Sequence, residues 1–121
     1  MLEYCVEGLV SIALRIKEWG YPVHGHDVRV EACFSSRKPV DVTTLSKILG
    51  EALSGFDHRP LWEVLPGKSG RDPVIEDLLM HLCRELPRRL EESGVGDVEI
   101  LGVKAVIPGA TIRLPCVSTP V

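Results

Sequence analysis

Aromatic residues are scarce: two Phe, two Trp and two Tyr make up 5% of the 121 residues. The core must therefore be aliphatic, and a surface of interleaved rings and basic groups for stacking nucleic-acid bases is excluded. The chain also lacks an excess of positive charge. Its net charge of −3 argues against a protein whose main partner is a phosphate backbone. No apolar run is long enough to cross a bilayer, because Glu3, Glu7, Arg15 and Lys17 interrupt the only candidate stretch. The same stretch has no basic n-region and no small-residue cleavage site, which leads to the expectation of a cytoplasmic protein with no membrane partner. No Cys-x-x-Cys pair occurs among Cys5, Cys33, Cys83 and Cys116, so neither a zinc ribbon nor a redox motif is signalled. In a cytoplasmic setting all four are expected to be thiols that pack as small hydrophobes.

What is present is an ordinary globular composition, 45% hydrophobic and 26% charged, in a length that suits one domain over residues 1–121. There is no internal repeat, low-complexity tract or linker. Tyr4 to Ile16 is dense in Val, Leu and Ile, and Val28, Val30 and Ala32 alternate with Arg29, Glu31 and Cys33, which is strand periodicity. Gly20 and Pro22 mark the bend between these two strands. Asp41 can cap a helix carrying Val42, Leu45, Ile48, Leu49, Ala52 and Phe56 at helical spacing, with Gly55 near its end. Asp72-Pro73 reads as the start of a second helix with Ile75, Leu78, Leu79, Leu82, Leu86 and Leu90 on one stripe. Pro87 should kink or break that helix. Val98 to Ile107 and Ala110 to Leu114 read as strands joined at Pro108-Gly109. The order strand, strand, helix, helix, strand, strand predicts an α+β domain with an antiparallel sheet and helices on one face.

Two local groups can carry chemistry. His24-Gly25-His26 places two imidazoles on one face of a strand, where both can reach one metal ion, although two unrelated surface histidines would read the same way. Asp57-His58 follows the first helix. A carboxylate can orient an imidazole for acid–base work, but sequence neighbours rarely bond each other, so a plain helix-terminal turn fits this pair equally. His81, between Leu78 and Leu82, reads as a helix-packing histidine rather than a ligand.

Taken together, His-Gly-His at 24–26, Val40-Asp41-Val42, Asp57-His58-Arg59-Pro60-Leu61 and Pro73-Val74-Ile75-Glu76-Asp77 resemble the 6-pyruvoyl tetrahydropterin synthase family, including the 6-carboxytetrahydropterin synthases. Those proteins carry His-Gly-His, Val-x-Asp-Phe, Leu-Asp-His and Pro-Thr-x-Glu-Asn in this order and at nearly these spacings. The likeness runs from Val10 to about Leu114. It implies the tunnelling fold, a four-stranded antiparallel sheet with two helices on one face, joined edge to edge into a trimeric barrel or a stacked hexamer. It also implies a carbon–oxygen lyase acting on dihydroneopterin triphosphate or a related pterin. In that chemistry zinc polarises the side-chain oxygens, a cysteine carries the proton, an Asp-His pair assists and a glutamate anchors the ring.

Carried over residue by residue, the resemblance assigns His24 and His26 as zinc ligands, Asp57 and His58 as the acid–base pair, and Glu76 as a surviving substrate-binding residue. The third ligand position, matched by Ser11-Ile12-Ala13-Leu14-Arg15-Ile16, holds Leu14, which offers no lone pair and predicts weak zinc binding. The proton-carrying cysteine position holds Gly20, and Glu18 nearby is the candidate replacement base. The ring-anchoring glutamate position in Val98-Glu99-Ile100-Leu101-Gly102 holds Gly102, with Glu99 expected on the opposite face. Two functions follow as expectations: a divergent pterin-forming lyase, or a catalytically degenerate tunnelling-fold protein that serves as a binding or assembly module.

Overall fold

A computed structural model of the protein describes residues 1–68 and 70–116. Two long strands open it, β1 (Leu2–Ile16) and β2 (Tyr21–Ser36), joined by a 3-10 turn over Lys17–Trp19 and by Gly20 at φ 72°. Of the two residues expected to mark the bend, only Gly20 lies in it, since Pro22 already belongs to β2. Then come α1 (Val42–Ser54), the two-residue β3 (Arg59–Pro60), the single turn α2 (Leu61–Val64), α3 (Ile75–Glu92), β4 (Val98–Ile107) and β5 (Ala110–Pro115). The sheet order is β3-β1-β2-β4-β5. The four long strands are antiparallel, as their sequence order predicts, and β3 adds a short parallel edge to β1 through Ile12 and Ala13. Neither β3 nor α2 has a periodic signature, because neither is long enough to show one.

One face of the sheet is covered and the other is open. Val6, Val10, Ile12 and Leu14 of β1 and Val28, Val30, Ala32 and Phe34 of β2 are buried beneath Leu45, Ile48, Leu49, Ala52 and Leu53 of α1 and the leucine stripe of α3. Gly8 permits the closest approach: a Cβ there would lie 2.8 Å from a Leu53 methyl. Asp41 caps α1 by accepting from the Thr43 backbone N–H at 2.9 Å, but Val42 is 51% exposed and drops out of the stripe.

Three expectations about local structure need correction. α3 starts at Ile75, with Val74 rather than Asp72 as its N-cap, and the buried Asp77 carboxylate accepts from the Val74 N–H at 2.8 Å and from Arg71 at 2.9 Å. Asp72 is drawn away instead, accepting from the Lys17 N–H at 3.2 Å. Pro87 does not end α3, which runs through it to Glu92: burial of Leu82, Leu86 and Leu90 on both sides of it outweighs the loss of one backbone bond. The cysteines are not thiols. Cys5 is joined to Cys33, and Cys83 to Cys116. Cys5 and Cys33 stand directly opposite each other on β1 and β2, with Cα atoms 4.1 Å apart, a proximity that separation in sequence conceals. Among the described residues no helix is long and apolar enough to cross a membrane.

Candidate active site

The β1–β2 register builds the site. Leu14 faces His24, Ile12 faces His26 and Ser11 faces Asp27. His24 and His26 share one face, their ring centroids 4.6 Å apart and nearly perpendicular. The Pro22 carbonyl lies 2.8 Å from His24 Nδ1. A carbonyl can only accept, so Nδ1 carries the proton and Nε2 keeps its lone pair. Directly across from this imidazole stands the buried aliphatic side chain of Leu14. Among the described residues, no third His, Cys, Asp or Glu donor gathers with the two imidazoles; the one group of three that does gather is Cys5, Glu31 and Cys33. Two imidazoles beside a leucine do not make the three-ligand set that a zinc ion needs.

Asp57 and His58 do bond each other, against the expectation for sequence neighbours. His58 takes the left-handed conformation at φ 59°, and its Nδ1 lies 3.0 Å from Asp57 Oδ2. Both residues also grip β1: the Ser11 N–H donates to Asp57 Oδ1 at 2.8 Å, and the His58 N–H donates to the Ser11 carbonyl at 2.7 Å. The Ser11 N–H, followed by His58, lowers the Asp57 pKa below the ordinary carboxylate range. Ser11 Oγ in turn donates to Asp27 Oδ1 at 2.5 Å. Ser11, Asp27 and His58 line one shallow recess of about 450 Å³ together with Ala13, Gly25 and Pro60; His26 borders it, but its ring, one residue along β2 from Asp27, lies with His24 on the opposite face of the sheet. Ser11 and Asp27 had no motif to announce them, and the register shift between Leu14 and Ile16 keeps a simple count from the turn from pairing them.

The other candidates lie outside this recess. Glu18 accepts from the Asp72 N–H at 3.3 Å, tying the 3-10 turn to the loop before α3. Glu76 is exposed in the first turn of α3. His81 packs edge-on against Phe56 at 5.3 Å between centroids, and burial lowers its pKa. At Gly102 the sheet leaves little space, because a Cβ there would lie 3.0 Å from the Leu114 carbonyl oxygen. A register shift beside it pairs Gly102 with Cys33 and Glu99 with Ser35. Those two β2 residues share a face, so Glu99 and Gly102 also share one, contrary to simple alternation.

No family model and no curated protein sequence matches this chain. Solved structures do. The 6-pyruvoyl tetrahydropterin synthase of Caenorhabditis elegans superposes with a TM-score of 0.71 at 16% identity, covering 95% of this chain and 96% of that one. A Plasmodium vivax 6-pyruvoyltetrahydropterin synthase, altered at a catalytic glutamate, gives 0.74 at 14% identity over 93% and 96%. A Wolinella succinogenes protein gives 0.58 at 15% identity over 95% and 99%. On this likeness, the chain has the fold of the 6-pyruvoyl tetrahydropterin synthases.

Proposed function

We propose that this protein is a divergent pterin-forming lyase, acting on dihydroneopterin triphosphate or a related pterin with His58 as its acid–base group. The observation that carries the reading is the recess that gathers Ser11, Asp27 and His58. The Asp57 carboxylate can only accept from Nδ1, so His58 keeps its proton there and its Nε2 is left basic. Asp57 both holds the ring and stabilises the imidazolium that forms when Nε2 takes a proton. Ser11 and Asp27 add a hydroxyl and a carboxylate for the polar edge of a flat heterocycle.

Zinc has no step in this mechanism, since Leu14 stands where the third ligand would be. The loss of Lewis-acid assistance and of the cysteine proton carrier predicts slow turnover. Glu18, engaged with Asp72, and Glu76, exposed on α3, take no part in the proton transfer. We also propose assembly as a trimer or hexamer in the cytoplasm. The sheet face away from the helices is uncovered in one chain and carries Leu9 at 68% exposure.

A second reading, a tunnelling-fold binding module without catalysis, is favoured by Leu14 opposite His24 and by the crowded Gly102. Incubation with dihydroneopterin triphosphate separates the two. Slow product formation that His58→Ala lowers by about 10²-fold or more supports the lyase. Pterin binding with no product supports the module, and absence of both defeats both.

A further inference from the structure

The open face of the sheet carries a second group of chemically active side chains, remote from the recess in the β1–β2 register. Cys5 of β1 faces Cys33 of β2, and Glu7 faces Glu31 one step along the same face. The donor atoms of Cys5, Glu31 and Cys33 all lie within 4.8 Å of one another. Cys33 Sγ is 3.5 Å from Glu31 Oε1, and Lys104 of β4 reaches the same oxygen at 3.4 Å. Cys5 is exposed, while Cys33 and Glu31 are half-buried.

We propose that Cys5, Cys33 and Glu31 form a binding site for a borderline-soft divalent cation of the zinc class, open when the two cysteines are reduced and closed by their disulfide. The inference is independent of the pterin reading and of His24 and His26. The donor set selects the ion. Two thiolates favour zinc over magnesium or calcium, and a single carboxylate is an ordinary third zinc ligand. Charge closes as well: two thiolates and one carboxylate carry three negative charges, which a divalent ion and the Lys104 ammonium balance. Two zinc–sulfur bonds of about 2.3 Å at a tetrahedral angle hold the sulfurs roughly 3.8 Å apart. Side-chain rotation on two opposed strand positions reaches that separation without moving either strand. Water, or Glu7 on the same face, takes the fourth position.

The chemistry is balanced by a thiol reductant. The Cys5–Cys33 bond accepts two electrons and two protons from two thiols of the reductant, which leave as their own disulfide. Metal binding then releases the two cysteine protons. Cys83 and Cys116 have no carboxylate gathered with them among the described residues, so their reduction creates no equivalent site.

The test uses the full chain, reduced and kept free of oxygen, with cobalt(II) and zinc(II) as probes. Reduced protein should bind about one cobalt per chain with a near-ultraviolet thiolate-to-metal charge-transfer band, and oxidised protein should show none. Cys5→Ser, Cys33→Ser and Glu31→Gln should each weaken binding at least about tenfold. Because the cysteine variants could fail to fold, the wild type supplies a second readout: zinc should protect Cys5 and Cys33 from alkylation and leave Cys83 and Cys116 reactive, as mapped by mass spectrometry. Protection at Cys83 and Cys116 instead, a band that survives in oxidised protein, or a band abolished by His24→Ala together with His26→Ala would overturn the proposal.

Discussion

Leu14→His asks whether one residue separates this hairpin from a zinc centre. Leu14 is 6% exposed and directly opposite His24, so a histidine there would place a third imidazole on the face that already holds two. Without metal the change is destabilising. It removes a buried leucine worth about 1.5–3 kcal/mol and partly buries a polar ring at a cost of about 1–3 kcal/mol more. With zinc at about 100 times the dissociation constant, binding to the native state returns about 2.7 kcal/mol. At roughly 3–6 °C per kcal/mol for a chain of this size, zinc should raise the melting temperature of the variant by about 8–16 °C. The wild type, with two imidazoles and zinc no higher than its dissociation constant, should gain about 2 °C at most. The melts are run on oxidised protein, so that the Cys5–Cys33 disulfide keeps thiolates out of the comparison. A folded Leu14→His protein with no zinc-dependent rise would refute the assignment of position 14 as the missing ligand.

Other consequences follow from the same geometry. The Ser11 N–H and His58 hold the Asp57 pKa down, so the ionised carboxylate stabilises the fold at neutral pH and that stability is lost as pH falls through the carboxylate range. Asp57→Asn should flatten the acid limb of the melting-temperature profile, and an unchanged limb would show that the clamp on Ser11 contributes nothing. Burial lowers the His81 pKa from 6.5, so the unfolded chain takes the proton first, and stability should be level above that pH and decline below it. His81→Gln should remove this decline, read by denaturant midpoints across pH 5–7. Pro87→Ala restores a donor inside α3 and should stabilise by about 2–2.6 kcal/mol, the helix gain of about 3 kcal/mol offset by about 0.4–1 kcal/mol from a freer unfolded chain. A lower urea midpoint for Pro87→Ala would mean that α3 is built around the proline.

The long elements were legible because their signals are local. The alternation in β2, the Asp41 cap and the leucine stripe of α3 each follow from neighbours within a few residues. β4 and β5 followed from the turn at Pro108-Gly109, where Gly109 adopts φ 83°. What stayed hidden depends on register. Cys5 and Cys33, and Ser11 and Asp27, become partners only once the hairpin is folded about Gly20. The two disulfides close loops of 28 and 33 residues, each worth roughly 3–4 kcal/mol by the chain-entropy estimate, yet no cysteine spacing announces them. In the same way, Asp57-His58 was visible as a motif, but its internal bond needed the left-handed His58, a backbone state that sequence does not display. No break occurs at Pro87 because the tertiary burial of Leu82, Leu86 and Leu90 offsets the local cost of a proline.

A pterin bound as proposed meets Asp27 and His58 in the recess against β1. Histidine ring resonances, recorded by proton–nitrogen correlation while dihydroneopterin triphosphate is titrated in, test it most directly. Saturable shifts of the His58 ring are expected, with His81, packed on Phe56, unmoved. Shifts confined to His81, or no histidine shift at a pterin concentration that saturates binding by another measure, would contradict it.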